Sequence, residues 1–230
     1  MRKKELYAFF EENADPKYRE FNGRLVPGHG KMYGVRVPVL RKKGREICKG
    51  DWRSFLELGS ECYEHTVLRA IVIASADMSG EERLSLTEGF LPEIDNWACC
   101  DLFCGDWRID SEETRGRLWD YCLGLIETGE GFPMRVCAVM MLAHFVDDGH
   151  IDGILGTLTS HDSPERPYRM GAAWALSVCY IRYPEKTEEA AFSGSLPLET
   201  LRMTVGKIRD SYRVPAEDKA RLKARLGSLS

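Results

Sequence analysis

Apolar residues recur along this chain at spacings of three and four, the period of amphipathic helices, and no stretch alternates as a half-buried strand would. The pattern therefore predicts an all-α protein. Helix starts are indicated by Pro38, and by Ser79 with Glu82 and Asp110 with Glu113, which have the spacing of N-terminal caps. The predicted helices cover about residues 3–12, 15–22, 38–49, 64–76, 80–91, 95–104, 111–127, 133–146, 150–158, 167–182, 186–191 and 197–209, and a further helix opens at residue 51.

Two of these helices begin alike and indicate a repeat. Pro133-Met134-Arg135 opens one, and Pro167-Tyr168-Arg169 opens another 34 residues later, each proline standing where a helix start tolerates it. The register continues backwards with a drift of two residues and places four residues at equivalent positions: Arg69, Asp101, Arg135 and Arg169. Repeats of about this length with two helices each are typical of α-solenoids. We therefore expect an α-solenoid that carries these four side chains on a common face.

The bulk composition is that of an ordinary globular protein. The chain has 230 residues, 43% of them hydrophobic, which is enough for a sizeable core, and we expect a single domain over residues 1–230. No apolar run approaches the roughly 18 to 20 residues of a membrane span, and Glu11 and Glu12 come soon after Met-Arg-Lys-Lys-Glu at the N-terminus, where a signal sequence would have its apolar core. These features predict a cytoplasmic protein that does not enter a membrane.

The cysteines are predicted to be buried thiols rather than metal ligands. There are eight, without a CxxC pair, and most lie in apolar segments. A metal site built from Cys99, Cys100 and Cys104 is disfavoured, because adjacent cysteines on a helix point about 100° apart and no partner pair is evident.

The charge is unevenly distributed. The net charge is -4, which argues against a polyanionic partner, yet seven basic residues lie between residues 31 and 49 and eight between residues 202 and 225. A solvated helix face explains either cluster taken alone. A positively charged surface formed by both ends of the chain is the alternative.

The candidate chemistry lies in the segment Asp95-Asn-Trp97-Ala-Cys-Cys-Asp101. A helix would place Trp97 and Asp101 on one face about a turn apart, and an indole beside a carboxylate suits a cationic substrate. The ordinary alternative is a core tryptophan and a solvated or capping aspartate. Trp174, five residues after Arg169 among small neighbours, is either a second aromatic of the site or a core residue.

At these residues the sequence resembles the AlkD-type DNA alkylation repair glycosylases, a family built from HEAT-like helical repeats. The resemblance covers nearly the whole chain, although the acidic net charge departs from the basic character expected of the family. Four segments carry it, in the family's order: Tyr33-Gly-Val-Arg-Val-Pro-Val-Leu-Arg41, Asp95-Asn-Trp97 with Asp101, Arg169-Met-Gly-Ala-Ala-Trp174-Ala, and Lys207-Ile-Arg-Asp-Ser-Tyr-Arg213.

The resemblance implies a monofunctional glycosylase that hydrolyses the N-glycosidic bond of cationic alkylated purines, such as 3-alkyladenine and 7-alkylguanine, in double-stranded DNA. It implies a monomer that needs no metal, redox cofactor or obligate protein partner. By position, Trp97 and Trp174 would contact the lesion nucleotide, Asp101 would act at the anomeric carbon, and Arg135 would hold the DNA backbone. The other predicted DNA-binding residues are basic: Arg41, Arg69, Arg169, Lys207, Arg209 and Arg213.

Two other classes of protein remain compatible with the sequence. A HEAT-like scaffold that binds proteins would bury Trp97 and Trp174, and a non-catalytic binder of unusual DNA would keep the arginines without needing Asp101. Release of free alkylpurine from methylated DNA distinguishes the enzyme from both classes.

Overall fold

The computed structural model describes residues 2–26 and 30–229. These residues form fourteen α-helices and one short 3-10 helix, Leu91–Glu93, and contain no β-strand, which confirms the all-α class. The α-helices are α1 (Lys3–Glu12), α2 (Pro16–Leu25), α3 (Val37–Cys48), α4 (Trp52–Leu56), α5 (Tyr63–Ser75), α6 (Gly80–Phe90), α7 (Trp97–Asp106), α8 (Glu112–Ile126), α9 (Gly131–His144), α10 (Ile151–Ser160), α11 (Arg166–Arg182), α12 (Pro184–Ala191), α13 (Leu198–Asp210) and α14 (Ala216–Gly227).

The chain divides into two compact units, Met1–Gly116 and Arg117–Ser230. In the first unit α5 packs between α3 and α7, and in the second α11 packs between α9 and α13. Side-by-side packing of alternate helices is the arrangement of a helical solenoid, and each unit has it. A single domain over residues 1–230 stays a prediction.

Helix starts follow local sequence, with one correction. Pro38 lies in the first turn of α3, and the Ser79 hydroxyl accepts a hydrogen bond from the Glu82 amide at 3.2 Å, as predicted. The predicted cap of α8 at Asp110 is wrong, because Ser111 Oγ accepts the Thr114 amide at 3.1 Å. Asp110 instead accepts the Gly80 amide at 3.2 Å. Its carboxylate therefore stabilises the start of α6, the helix 30 residues earlier.

A buried carboxylate holds the segment that leads into α3. Glu64, in the first turn of α5, is fully buried and accepts the amides of Tyr33, Gly34 and Val35 at 3.0, 2.7 and 3.2 Å. Gly34 has a φ of 90°, a conformation that a side chain would strain. The first residues of the motif from Tyr33 to Arg41 therefore have a structural role, because they fix the start of α3 to α5.

The thiols are buried, as predicted. Seven of the eight cysteines are buried, Cys48 is half-buried, and all are free. Burial raises the pKa of Cys137 to about 12, so this thiol is protonated at neutral pH. Within the described residues, no helix is both long and apolar enough to cross a bilayer.

The last helix, α14, was not predicted. Leu222 is its one buried residue, so the apolar periodicity that identifies a helix is missing. Polar contacts hold it instead, since Arg221 and Arg225 both bind Glu188 of α12, at 2.6 and 2.8 Å.

Candidate active site

The candidate catalytic helix α7 is started by an asparagine. The side chain of Asn96 accepts the Cys99 amide at 2.9 Å and donates to Asp95 at 2.9 Å, so the helix begins at Trp97. Its buried face consists of Cys99, Cys100, Phe103 and Cys104. Ala98 and Leu102 also pack against the core, whereas Trp97 is exposed.

Trp97 is a surface residue. Its side chain is 41% exposed, and Nε1 donates a hydrogen bond of 2.8 Å to the backbone oxygen of Leu25, the last residue of α2. The core alternative therefore fails for this tryptophan. One hydrogen bond to a fixed backbone acceptor orients the indole while leaving much of its surface open to a ligand.

Asp101 is half-buried in the middle of α7, one turn after Trp97. The capping alternative fails for this residue too, because Asn96 caps the helix. Residues four apart on a helix have Cβ atoms about 5 to 6 Å apart, so the carboxylate and the indole share one face. An oriented aromatic surface beside a carboxylate can bind and stabilise a cation.

Trp174 lies in the second unit, on α11, and is half-buried. It stands among small buried residues, Gly171, Ala172, Ala173 and Ala175. Its backbone oxygen accepts the Ser177 hydroxyl at 2.7 Å. The indole is neither fully buried nor fully exposed, so its role at the lesion stays a prediction.

The three arginines of the predicted row make related internal contacts. Arg69 donates to the backbone oxygens of Leu56 and Leu58 and binds Glu93 at 2.9 Å, just before α7. Arg135, only 4% exposed, donates at 2.9 Å to the oxygen of Pro167, in the first turn of α11. This contact joins α9 to the start of α11, the helix that packs against it.

Arg169 makes the corresponding contact one helix later. It binds Asp162 at 2.8 Å and also Glu199, in the first turn of α13. Each of the three arginines thus joins its helix to the segment that begins the next packed helix. The common face of the four repeat positions, and the binding of DNA by these arginines, stay predictions.

The remaining predicted DNA-binding residues differ in whether they already form an ion pair within the protein. Arg41 of α3 pairs with Asp106, the last residue of α7, at 2.6 Å. Arg209 and Arg213 are exposed and Lys207 is half-buried. The three C-terminal side chains make no ion pair within the described residues, so they are free to bind phosphate.

Sequence reasoning missed two exposed apolar residues on α2, the helix whose last residue binds Trp97. Phe21 is 60% exposed and Leu25 is 43% exposed, both on α2. Their spacing of four among charged residues was the available signal.

Comparison with known proteins identifies the family. Residues 6–194 match the family described as DNA alkylation repair enzyme, a stretch that includes Trp97, Asp101, Arg135 and Trp174 and ends before the Lys207–Arg213 segment. No curated protein and no solved structure is detectably similar to the chain. The family match spans well over half of the sequence, and the exposed indole and the carboxylate of α7 lie inside it. The chain therefore belongs to the family of DNA alkylation repair enzymes, which work on DNA in its repair.

Proposed function

We propose that the protein is a DNA glycosylase that excises cationic alkylated purines, 3-alkyladenine and 7-alkylguanine, from duplex DNA. The observation that carries the proposal is the face of α7, where an exposed, oriented indole and a half-buried carboxylate lie one turn apart. Trp97 is exposed and not part of the core, and Asp101 lies in mid-helix and does not cap α7.

The chemistry follows from the charge of the substrate. When the N-glycosidic bond breaks, its electron pair leaves with the purine, which departs as a neutral base, and positive charge develops on the sugar as an oxocarbenium-like ion. Asp101 stabilises that charge and orients the water that adds to the anomeric carbon. The water loses a proton to solvent, and an abasic sugar remains. This hydrolysis requires water as the only co-reactant.

Trp97 and Trp174 would attract the positive charge of the lesion nucleotide. An indole face attracts a cation by about 0.5 to 2 kcal/mol, more when water is excluded. Trp97 and Trp174 therefore favour a cationic lesion nucleotide over its neutral parent. A neutral base lacks this attraction.

Duplex binding depends on phosphate contacts, which position the DNA without reading its sequence. Lys207, Arg209 and Arg213 supply free cations for this purpose. Arg41, Arg69, Arg135 and Arg169 already have partners in the protein, so their contact with DNA requires an exchange of hydrogen bonds. The enzyme acts as a cytoplasmic monomer.

Asp101→Asn tests the proposal. We expect release of free base from methylated duplex DNA to fall by about 100-fold or more, because the variant lacks the charge opposite the oxocarbenium ion. Affinity for the duplex, measured by fluorescence anisotropy, should stay within about threefold of wild type, because the contacts with phosphate are retained.

The matched control is Asp120→Asn on α8, an exposed carboxylate that is not one of the predicted site residues. It should leave both the excision rate and the affinity unchanged. Equal losses of excision and of affinity in Asp101→Asn would assign Asp101 a structural role and contradict the proposal.

A further inference from the structure

Helix α2 carries two large apolar side chains that are exposed in the described part of the structure. Asp15 caps the helix by accepting the Tyr18 amide at 3.0 Å, and Pro16 is its first residue. The helix buries Asn22, whereas Phe21 and Leu25 are 60% and 43% exposed. Phe21 and Leu25 are four residues apart, so they lie on one outward face.

This face adjoins the candidate catalytic helix. The indole of Trp97 donates to the backbone oxygen of Leu25 at 2.8 Å, which brings the end of α2 against the start of α7. Phe21, Leu25 and Trp97, here called the α2 patch, are three of the six large hydrophobic residues exposed within the described part of the chain. Exposed apolar side chains that gather at one place mark an interaction surface.

The charges around the patch indicate a polyanionic partner. Lys17, one turn before Phe21 on the same face, is exposed and makes no ion pair in the described residues, whereas Arg24 is paired with Glu20. DNA presents apolar sugar and base edges between rows of phosphates. An apolar patch beside a free cation is complementary to that surface.

We propose that α2 is a DNA-positioning helix, in which Phe21 and Leu25 pack on the duplex beside the lesion nucleotide and Lys17 binds a neighbouring phosphate. The inference rests on the proposed function, which places the lesion at Trp97 and Asp101. DNA seated on the patch excludes water from the side of Asp101, and electrostatic stabilisation by a carboxylate is stronger where water is excluded. The hydrogen bond from Trp97 to the backbone of Leu25 holds the indole against the end of α2.

The test replaces the two apolar side chains and keeps the anchor of the indole. Phe21→Ser with Leu25→Ser removes the apolar face, but the backbone oxygen that binds Trp97 remains. We expect the Kd for an undamaged duplex to rise about tenfold, because apolar surface is no longer buried on binding. Phe21→Leu keeps an apolar side chain and should bind within about twofold of wild type.

The matched control is Leu198→Ser, which changes a leucine of α13 that is 37% exposed. It should leave the Kd unchanged. The replaced side chains are exposed, so thermal melting should show all three variants folded. A Kd of the double variant within twofold of both wild type and the control would overturn the role of α2, whatever the excision assay gives.

The binding readout also separates this inference from the proposed function. A wild-type protein that binds duplex through α2 but releases no base would contradict the glycosylase and leave the positioning role of α2 intact. Excision by the wild type, together with an unchanged Kd in the double variant, would support the glycosylase and contradict the positioning role of α2.

Discussion

Trp97 and Asp101 lie outside the buried face of α7, where four other side chains of that helix are packed. The indole is 41% exposed and donates one hydrogen bond to the backbone, so in the proposed mechanism it would be oriented before a substrate binds. Groups that are oriented in advance cost little reorganisation during reaction, which is how a single carboxylate can contribute strongly to catalysis.

The buried imidazole of His65 makes the free energy of unfolding depend on pH. His65 is fully buried, with Nδ1 3.5 Å from the Tyr7 hydroxyl. Burial, and then the nearby Arg69 and Lys3, lower its pKa to about 4, against about 6.5 in an unfolded chain. The unfolded chain therefore binds more protons between these values, so the contribution of His65 to stability is fully present above pH 6.5 and is lost as pH falls towards 4. We expect unfolding by urea to require about 2 kcal/mol less at pH 5 than at pH 7.5.

Substitution isolates the contribution of this histidine. His65→Gln has no titrating ring and should remove most of the difference between pH 5 and pH 7.5. His161→Gln, at a half-buried position, should keep it. A pH dependence in His65→Gln equal to that of wild type would assign the effect to other groups.

At the scale of single residues, sequence located the candidate site but not the partners of its cations. The spacing of Trp97 and Asp101 placed both on one helix face, and the structure has them there. The pairing of Arg69 with Glu93 joins residues 24 apart, and that of Arg169 with Glu199 joins residues 30 apart. Neither pairing follows from local pattern, because it depends on how successive helices stack.

At the scale of helices, a close approach depends on a residue without a side chain. Gly44 of α3 faces α5, where an added Cβ would lie 2.5 Å from Cγ2 of Ile71. Gly44→Ala should lower stability by about 1 to 3 kcal/mol, as overpacking does. Its effect is measured as a shift of the thermal midpoint followed by circular dichroism.

A second glycine provides the opposite control. Gly124 is exposed in α8, and a Cβ there would meet nothing within 4 Å. Gly124→Ala should raise stability by about 0.5 to 1 kcal/mol through helix propensity. Shifts of equal sign in Gly44→Ala and Gly124→Ala would show that α3 and α5 can separate without cost.

The elements that sequence predicted well are those that bury an apolar stripe. Helices α5, α9 and α11 have long buried faces and were found close to their observed bounds. Helix α14 buries only Leu222 and was missed, and the cap at Asp110 was wrong because Ser111, one residue later, accepts the Thr114 amide at the start of α8. Both failures concern polar contacts, which apolar periodicity does not report.

At the scale of the whole molecule, the sum of the charges conceals their arrangement. The chain carries a net charge of -4, yet the C-terminal residues Lys207, Arg209 and Arg213 and the α2 residues Lys17 and Arg19 are cations without ion pairs in the described structure. A polyanion responds to such local clusters more than to the total. Affinity for duplex DNA should accordingly depend on these side chains.

The charge of the excised base is the property that most directly distinguishes this mechanism from others. A glycosylase that removes a neutral base needs a general acid to protonate it, and none of the motif segments around Trp97, Asp101 and Trp174 contains a histidine. A purine that is already cationic needs no such proton. Under the proposed function, the protein should therefore excise cationic lesions alone.

The decisive measurement is the release of free base by the purified protein from matched duplexes that differ in one nucleotide: 7-methylguanine, 1,N6-ethenoadenine or uracil. We predict release of 7-methylguanine, strongly reduced in Asp101→Asn, and no release of the two neutral bases above the rate in buffer. Efficient removal of uracil, or failure to release 7-methylguanine, would contradict a mechanism based on the positive charge of the lesion.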